Sequence, residues 1–284
     1  MKLVTYISQG VEHVGALTTD GANLRPLPYA DMHELIETPK AELEATVRSA
    51  NTAIPLADVT LLAPIPRPRQ DVICLGINYR SHAAESAKYD GDAFAKDTPI
   101  PIYFSKRVAE AVAPEGFIES HPGLVQRLDY EAELAVVIGK TARNVPASEA
   151  ADYIFGYTVL NDVSARVLQT AHKQWYFGKS LDGFTPIGPC ITTADEIAFP
   201  PALGIFCRVN GETRQNAVTD QLITGIAEII EGLSAGMTLL PGTIIATGTP
   251  SGVGMGFDPP RFLKSGDVVE CEIESIGVLR NTVR

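Results

Sequence analysis

Asp129-Tyr130-Glu131-Ala132-Glu133-Leu134-Ala135-Val136-Val137-Ile138-Gly139 begins with acidic residues and runs into an unbroken apolar stretch. Residues two apart along a strand share a face, so Glu131 and Glu133 project to one side, with Asp129 on the same parity. A strand apolar at every position from Leu134 to Ile138 is buried on both faces, so the carboxylates stand at the mouth of a buried element. Two carboxylates roughly 4 Å apart repel by about 4 kcal/mol at an effective dielectric of about 20. Either one takes a proton or a cation sits between them. The alternative is an exposed strand end with solvated carboxylates.

A second acidic site lies downstream, where Asn161-Asp162 follows the apolar Gly156-Tyr157-Thr158-Val159-Leu160. Three oxygen donors, with no cysteine or clustered histidine beside them, suit a hard divalent ion such as Mg²⁺ or Mn²⁺ rather than zinc.

Outward from this stretch, short β-type runs are separated by Gly, Pro and Asp: Val72 to Leu75, Cys207 to Val209, Thr243 to Thr247 and Val268 to Ile273. An amphipathic helix is expected from Asp220 to about Ala235, with Thr219 as its cap and Gly236 at its end. Strands and helices do not alternate regularly, which points to an α+β, mainly β body rather than a doubly wound sheet. The N-terminal region offers a strand at Leu3 to Ile7 and helical sequence from Asp31 to about Ala50, divided at Pro39. The Pro-rich Pro64-Ile65-Pro66-Arg67-Pro68-Arg69 reads as a linker, giving a small N-terminal α+β domain over 1–66 and a catalytic domain over 67–284.

The 284 residues are 45% hydrophobic and 20% charged, which suits a globular protein with a sizeable core. A net charge of −11 is the opposite of a nucleic-acid-binding footprint. It also means that an anionic substrate must be met by a bound cation or by a few placed Lys and Arg residues. The four scattered cysteines are expected as buried thiols. With no secretory leader and no apolar run of roughly 18 residues, a cytoplasmic protein with no membrane partner is expected.

In Leu75-Gly76-Ile77-Asn78-Tyr79-Arg80-Ser81-His82-Ala83-Ala84-Glu85, a strand passes into helix-prone sequence. His82 and Glu85, three apart, are neighbours on one helical face, where a carboxylate can orient an imidazole as a general base. A surface pair is the bland alternative. The remaining histidines, His13, His33, His121 and His172, have no such partner. Lys179 lies among aromatics and glycine in Trp175-Tyr176-Phe177-Gly178-Lys179-Ser180, either snorkelling or facing an anion or the acidic cluster. The Gly-rich Thr247-Gly248-Thr249-Pro250-Ser251-Gly252-Val253-Gly254 could bring backbone N–H groups onto a carboxylate or phosphate, or be a plain turn.

Taken together, these segments resemble the fumarylacetoacetate hydrolase family. The matching motifs are N-Y-x-x-H-x-x-E at Asn78 to Glu85, D-Y-E-A-E-L at Asp129 to Leu134 and N-D-V-S-A-R at Asn161 to Arg166. Q-W-x-x-G-K-S-x-D at Gln174 to Asp182, T-G-T-P-x-G-V-G at Thr247 to Gly254 and G-D-V-V-E-C-E-I-E at Gly266 to Glu274 match as well. The resemblance implies a mixed β-sandwich roll and a homodimer. It implies Mg²⁺ or Mn²⁺ on Glu131, Glu133 and Asp162, with Asp129 outside the ligand set. It makes His82 and Glu85 the acid–base dyad, on a segment able to close as a lid. Lys179 and Thr249 would contact substrate, with Arg166 and Gln169 behind them. Two positions depart from the family pattern: Arg107 stands where proline is frequent, and Val167 where aspartate is.

The activity expected is metal-dependent hydrolysis of a C–C bond in an acylpyruvate-type 2,4-dioxo acid through a metal-bound enolate. Decarboxylation of an oxaloacetate-like acid, or a dienedioate isomerase or tautomerase reaction, meets the same electronic problem. A non-catalytic metal- or carboxylate-binding protein is the alternative from another class. The residues that would choose among the reactions are expected around Tyr89 to Pro101 and Arg107 to Pro122.

Overall fold

The computed structural model describes residues 1–86 and 100–284. The chain opens with strands β1 (Lys2–Ser8), β2 (Val11–Leu17) and β3 (Asn23–Leu27), then helices α1 (Met32–Glu37) and α2 (Lys40–Ser49). Pro39 separates these helices, as expected of a residue with no N–H to donate, and Asp31 caps the first by accepting from Glu34 N–H. Two short strands follow, β4 (Ile54–Pro55) and β5 (Thr60–Leu61).

The next stretch carries most of the candidate residues. It comprises β6 (Val72–Gly76), α3 (Arg80–Ser86), β7 (Ile102–Lys106), β8 (Phe117–Ile118), β9 (Leu128–Asp129), β10 (Ala132–Ile138), β11 (Ile154–Asn161) and β12 (Ser164–Ala165). Helices α4 (Arg166–Ala171) and α5 (Tyr176–Lys179) lead to β13 (Ile187–Thr193). The chain finishes with β14 (Gly204–Val209), β15 (Glu212–Val218), α6 (Ile226–Gly236), β16 (Ile244–Ala246), β17 (Val268–Ile273) and β18 (Gly277–Val283).

The result is α+β and mainly β. One large sheet runs β4-β3-β2-β1-β13-β11-β10-β16-β6-β7, with β5 paired to β1. A second runs β15-β14-β17-β18-β8. Strand β10 shows why the large sheet must be covered on both sides. Leu134, Val136 and Ile138 face a core shared with Ile205, Cys207, Val269 and Cys271 of the second sheet. Ala135 and Val137 face another core, closed by Leu35, Ile36 and Leu43 of α1 and α2. All four cysteines are buried free thiols.

The N-terminal strands are not set apart from the rest. Lys2 and Leu3 of β1 pair with Thr192 and Ile191 of β13, so strands from both sides of the 66/67 boundary share one sheet. Within the proline-rich segment Pro64, Ile65 and Pro66 are buried, and Thr5 Oγ1 donates to Pro64 O.

The helix expected from Asp220 starts later. Ile223 N–H donates to Asn78 O, and Thr224 N–H donates to the Asn78 side-chain oxygen, which holds 222–224 out of helical geometry. Thr219 instead bonds Pro201 O and Leu203 N–H, and Gly225 is the N-cap of α6. Ile226, Ile229, Ile230 and Leu233 are buried as their spacing requires.

Candidate active site

Strand β10 begins one residue after Glu131, and Glu133 follows on the same parity. Asp162 comes one residue after β11, which pairs antiparallel with β10 so that Ala132 lies opposite Asn161. That register brings the three carboxylates together. Oxygens of Glu131, Glu133 and Asp162 lie within 4.8 Å of one another, and all three residues are buried.

Each carboxylate is held in a different way. Lys179 Nζ donates to Glu131 Oε2 at 2.8 Å and to Asp162 Oδ2 at 2.7 Å. Arg166 Nη1 pairs with Glu131 Oε1 at 2.6 Å, and Arg166 Nε with Asp129 Oδ2 at 2.9 Å. Glu133 accepts from Gly248 N–H at 2.8 Å. Burial raises the Glu131 carboxyl, but Lys179, Arg166 and His82 outweigh it and hold the group well below the usual carboxylate range. Glu133 moves the other way, pushed well up by burial and then by Asp162 and Glu131.

The facing wall comes from β6 and α3. Ile77, between them, has φ 50°, a strained value for a β-branched residue. Asn78 fixes this turn, its side-chain N–H group donating to Thr247 O and Thr224 O at 2.9 and 3.0 Å. Helix α3 then sets His82 Nδ1 3.0 Å from Glu85 Oε2, with both residues buried. With Nδ1–H donated to Glu85, Nε2 is the ring nitrogen able to take a proton. His82, Glu131, Glu133, Arg166, Gln169, Lys179 and Thr249 line one pocket, with Leu75, Gly76, Phe104, Trp175 and Met255 as its apolar side.

The glycine-rich loop has a more specific use than was expected of it. Its N–H groups take up the protein's own carboxylates: Gly248 bonds Glu133, Gly252 bonds Glu85, and Gly254 and Met255 bond Asp129. A Cβ on Gly256 would stand 2.1 Å from Glu85 Oε1, so the loop wraps the acidic member of the dyad closely. Thr249 Oγ1 donates to Ala132 O and accepts from Gln215 Nε2, both at 2.8 Å, so its hydroxyl hydrogen is committed to the main chain. Gln169 accepts from Arg166 Nη1 at 3.2 Å and so supports the arginine.

Lys106 and Gln215 were missed by the sequence reading. Lys106, fully buried at the end of β7, donates to Asp162 Oδ1 at 2.5 Å and to Val163 O at 3.1 Å. Its neighbour Arg107 is exposed, and the Arg107 N–H bonds Ser180 Oγ. A lysine closing the β-type run Ile102-Tyr103-Phe104-Ser105 was the available signal. Gln215 carried none, because its role depends on a crossing of sheets. Of the residues expected to select the reaction, 89–99 lie outside the described residues. His33 and His121 bond backbone carbonyls of Arg67 and Asp182, away from the pocket.

The donor set fits a divalent cation by charge as well as by chemistry. Glu85, Asp129, Glu131, Glu133 and Asp162 are five buried acids, against three buried bases, Lys106, Arg166 and Lys179. Counted as ionised, these acids and bases leave a net −2, since 3 − 5 is −2, and a dry cluster of that charge calls for a compensating ion. Among the described residues this is the one group of three or more acid, histidine or cysteine side chains able to hold a metal ion, and no helix is long and apolar enough to cross a membrane.

The chain is 46% identical over 229 residues to the oxaloacetate tautomerase YisK of Bacillus subtilis, covering 80% of this chain and 74% of that one. A fumarylacetoacetate hydrolase structure from Exiguobacterium antarcticum superimposes with a TM-score of 0.85 at 38% identity, over 100% of this chain and 99% of the other. A 5-carboxymethyl-2-hydroxymuconate delta-isomerase from Mycobacterium smegmatis does so with a TM-score of 0.81 at 34% identity, over 100% and 99%. Residues 71–284, which contain every motif described, match the model of the fumarylacetoacetate (FAA) hydrolase C-terminal region, and the chain belongs to the fumarylacetoacetate hydrolase family.

Proposed function

We propose that this protein is a tautomerase for a small 2-oxo diacid of the oxaloacetate type, dependent on Mg²⁺ or Mn²⁺ held by Glu131, Glu133 and Asp162. One observation carries the reading: a single pocket is lined by a carboxylate-oriented imidazole, by Glu131 and Glu133 of the carboxylate triad, and by two buried cationic side chains, Arg166 and Lys179, with Asp162 bonded to Lys179 behind them. Keto–enol exchange needs those parts and nothing more, since no bond to carbon other than C–H is broken. The tautomerase activity in the name of the Bacillus relative supports it.

When bound, the cation would supply Lewis-acid stabilisation of negative charge at the 2-oxo oxygen. His82 Nε2 takes the proton from C3 of the keto form and returns it in the reverse direction. Glu85 holds the ring through Nδ1 and stabilises the imidazolium. Lys179 and Arg166 offer positive charge to the substrate carboxylate, and Thr249 shapes the same wall. The site excludes water by burial, which strengthens each of these interactions. We place the activity in a homodimer, as the family resemblance implies.

Hydrolysis of a 2,4-dioxo acid is a second reading, favoured by the likeness to the Exiguobacterium hydrolase. In it, His82 would activate water instead of drawing a proton from carbon. Assaying enol-to-keto conversion of oxaloacetate beside acylpyruvate cleavage separates the two. Faster acylpyruvate cleavage with no oxaloacetate tautomerisation would overturn the first reading.

A further inference from the structure

Of the buried acids at the site, Asp129 alone stands outside both the carboxylate triad and the His82–Glu85 pair. It nonetheless meets four N–H groups. Oδ1 accepts from Tyr130 N–H at 3.0 Å and from Gly254 N–H at 2.7 Å. Oδ2 accepts from Met255 N–H and from Arg166 Nε, both at 2.9 Å. Four donors on two oxygens take up the whole acceptor capacity of a carboxylate, the one group of this size that offers acceptors and no donor.

The position is set from both sides. Asp129 lies opposite Ser164 in the β9–β12 pair, and β12 leads straight into Arg166 at the start of α4. Gly254 is fixed by Arg261 N–H, which donates to Gly254 O at 2.8 Å, and a Cβ on Gly254 would stand 2.6 Å from Asp129 Oδ1.

The groups held by Asp129 reach two different parts of the pocket. Arg166 lines it, pairs with Glu131 and is steadied by Gln169. Two residues before Gly254, Gly252 N–H donates to Glu85 Oε1 at 2.9 Å, while Gly252 O accepts from the Tyr130 hydroxyl at 2.9 Å. Gly256, one residue after Met255, packs against the same Glu85 carboxylate. Residues 252–256 are therefore a strap across Glu85, pinned in its middle by Asp129.

We propose that Asp129 is a positioning residue for both the His82–Glu85 dyad and Arg166. By holding the strap it holds Glu85, and by holding Nε it aims the guanidinium. The inference rests on the dyad and the reaction proposed above.

Asp129→Asn keeps the shape and replaces one acceptor oxygen with an amide N–H₂ group, which must face two donors whichever way it turns. In oxaloacetate tautomerisation that variant should lose kcat by roughly a hundredfold, the effect of about 1 Å of misplacement, and its KM should rise as Arg166 loses its aim. Gly254→Ala displaces the strap but leaves the Asp129–Arg166 pair, so kcat should fall with little change in KM. In a Glu85→Gln background, where the carboxylate of the dyad is already gone, either change should lower kcat by no more than about threefold further, because residues acting through one group are not additive.

Losses that multiply in the double variants, as a general weakening of the fold would make them, overturn the proposal. Wild-type kcat in Gly254→Ala overturns it too, and decides the matter if Asp129→Asn does not fold. Wild-type protein supplies a further test that needs no variant. After correction for intrinsic rates, hydrogen exchange at Gly252, Gly254 and Met255 should be protected alike to within about threefold, because one opening releases all three. Gly252 exchanging independently of the other two removes the strap, and the proposal with it. If the three amides open together yet the wild type tautomerises no oxaloacetate, the anchoring stands and the proposed reaction falls.

Discussion

Two strands of this protein carry glutamates two residues apart, and their fates differ completely. Glu131 and Glu133, at the entry of β10, are buried among Lys179, Arg166 and Asp162. Glu270 and Glu272, on β17, lie on the outer face of the second sheet, where Arg208 pairs with both and side-chain exposure is 28% and 34%. Spacing alone puts each pair on one face of a strand; what surrounds the face decides whether the pair becomes a site. Around β17 water screens the charges, and the pair is worth little. Around β10 burial removes that screening, so the same two charges must be met by fixed cations, a proton or a metal.

The largest effect expected from this difference is on activity. Removing divalent ions with EDTA, or changing Glu133 to Gln or Asp162 to Asn, should reduce oxaloacetate tautomerisation by about a thousandfold or more. Activity surviving complete metal removal would break the contrast between the two pairs. His82→Ala should lower kcat by roughly 10²–10⁴-fold with Mg²⁺ binding intact. Unchanged turnover there would remove the dyad from the mechanism.

A smaller effect concerns stability against pH. The folded protein raises the Glu133 carboxyl above its ordinary value, so that residue stabilises the fold while protonated, and the stabilisation is lost as pH rises above about 4.5. Glu131, held low, contributes the opposite way and only in more acidic solution. Metal-free protein should therefore melt at a lower temperature near neutrality than at mildly acidic pH, and Mg²⁺ should raise the melting temperature most at the higher pH. A melting temperature that climbs with pH without metal would contradict this account. The smallest effect is expected from Glu272→Gln, which should change stability by no more than about 1 kcal/mol in denaturant titration and leave turnover as it was.

Much of this contrast was legible in the sequence. Val268-Val269-Glu270-Cys271-Glu272-Ile273 alternates after its first residue, the pattern of a strand with one wet face, whereas Leu134 to Ile138 is apolar throughout. The burial of β10 and the exposure of Glu270 and Glu272 follow from those patterns. The pairing of His82 with Glu85 was readable from helical spacing, and the gathering of distant motifs into one pocket from family resemblance. Lys106, Gln215 and the loop's use of Glu85 and Asp129 were not, because they depend on where separate strands cross. The late start of α6 was hidden for a similar reason. Asn78, nearly 150 positions away in the chain, competes for the N–H groups that would have begun the helix.

The pairing of β1 with β13 has a consequence for anyone cutting the gene. A fragment encoding 67–284 would retain every motif of the family, yet leave β13 with an open edge and strip α1 and α2 from the apolar face of Ala135, Val137 and Ile191. Open edges beside bare apolar surface invite chain-to-chain stacking, so this fragment should collect in inclusion bodies when expressed alone. Supplying 1–66 as a separate polypeptide in the same cell should bring it back into solution, a split-protein complementation whose readout is solubility instead of catalysis.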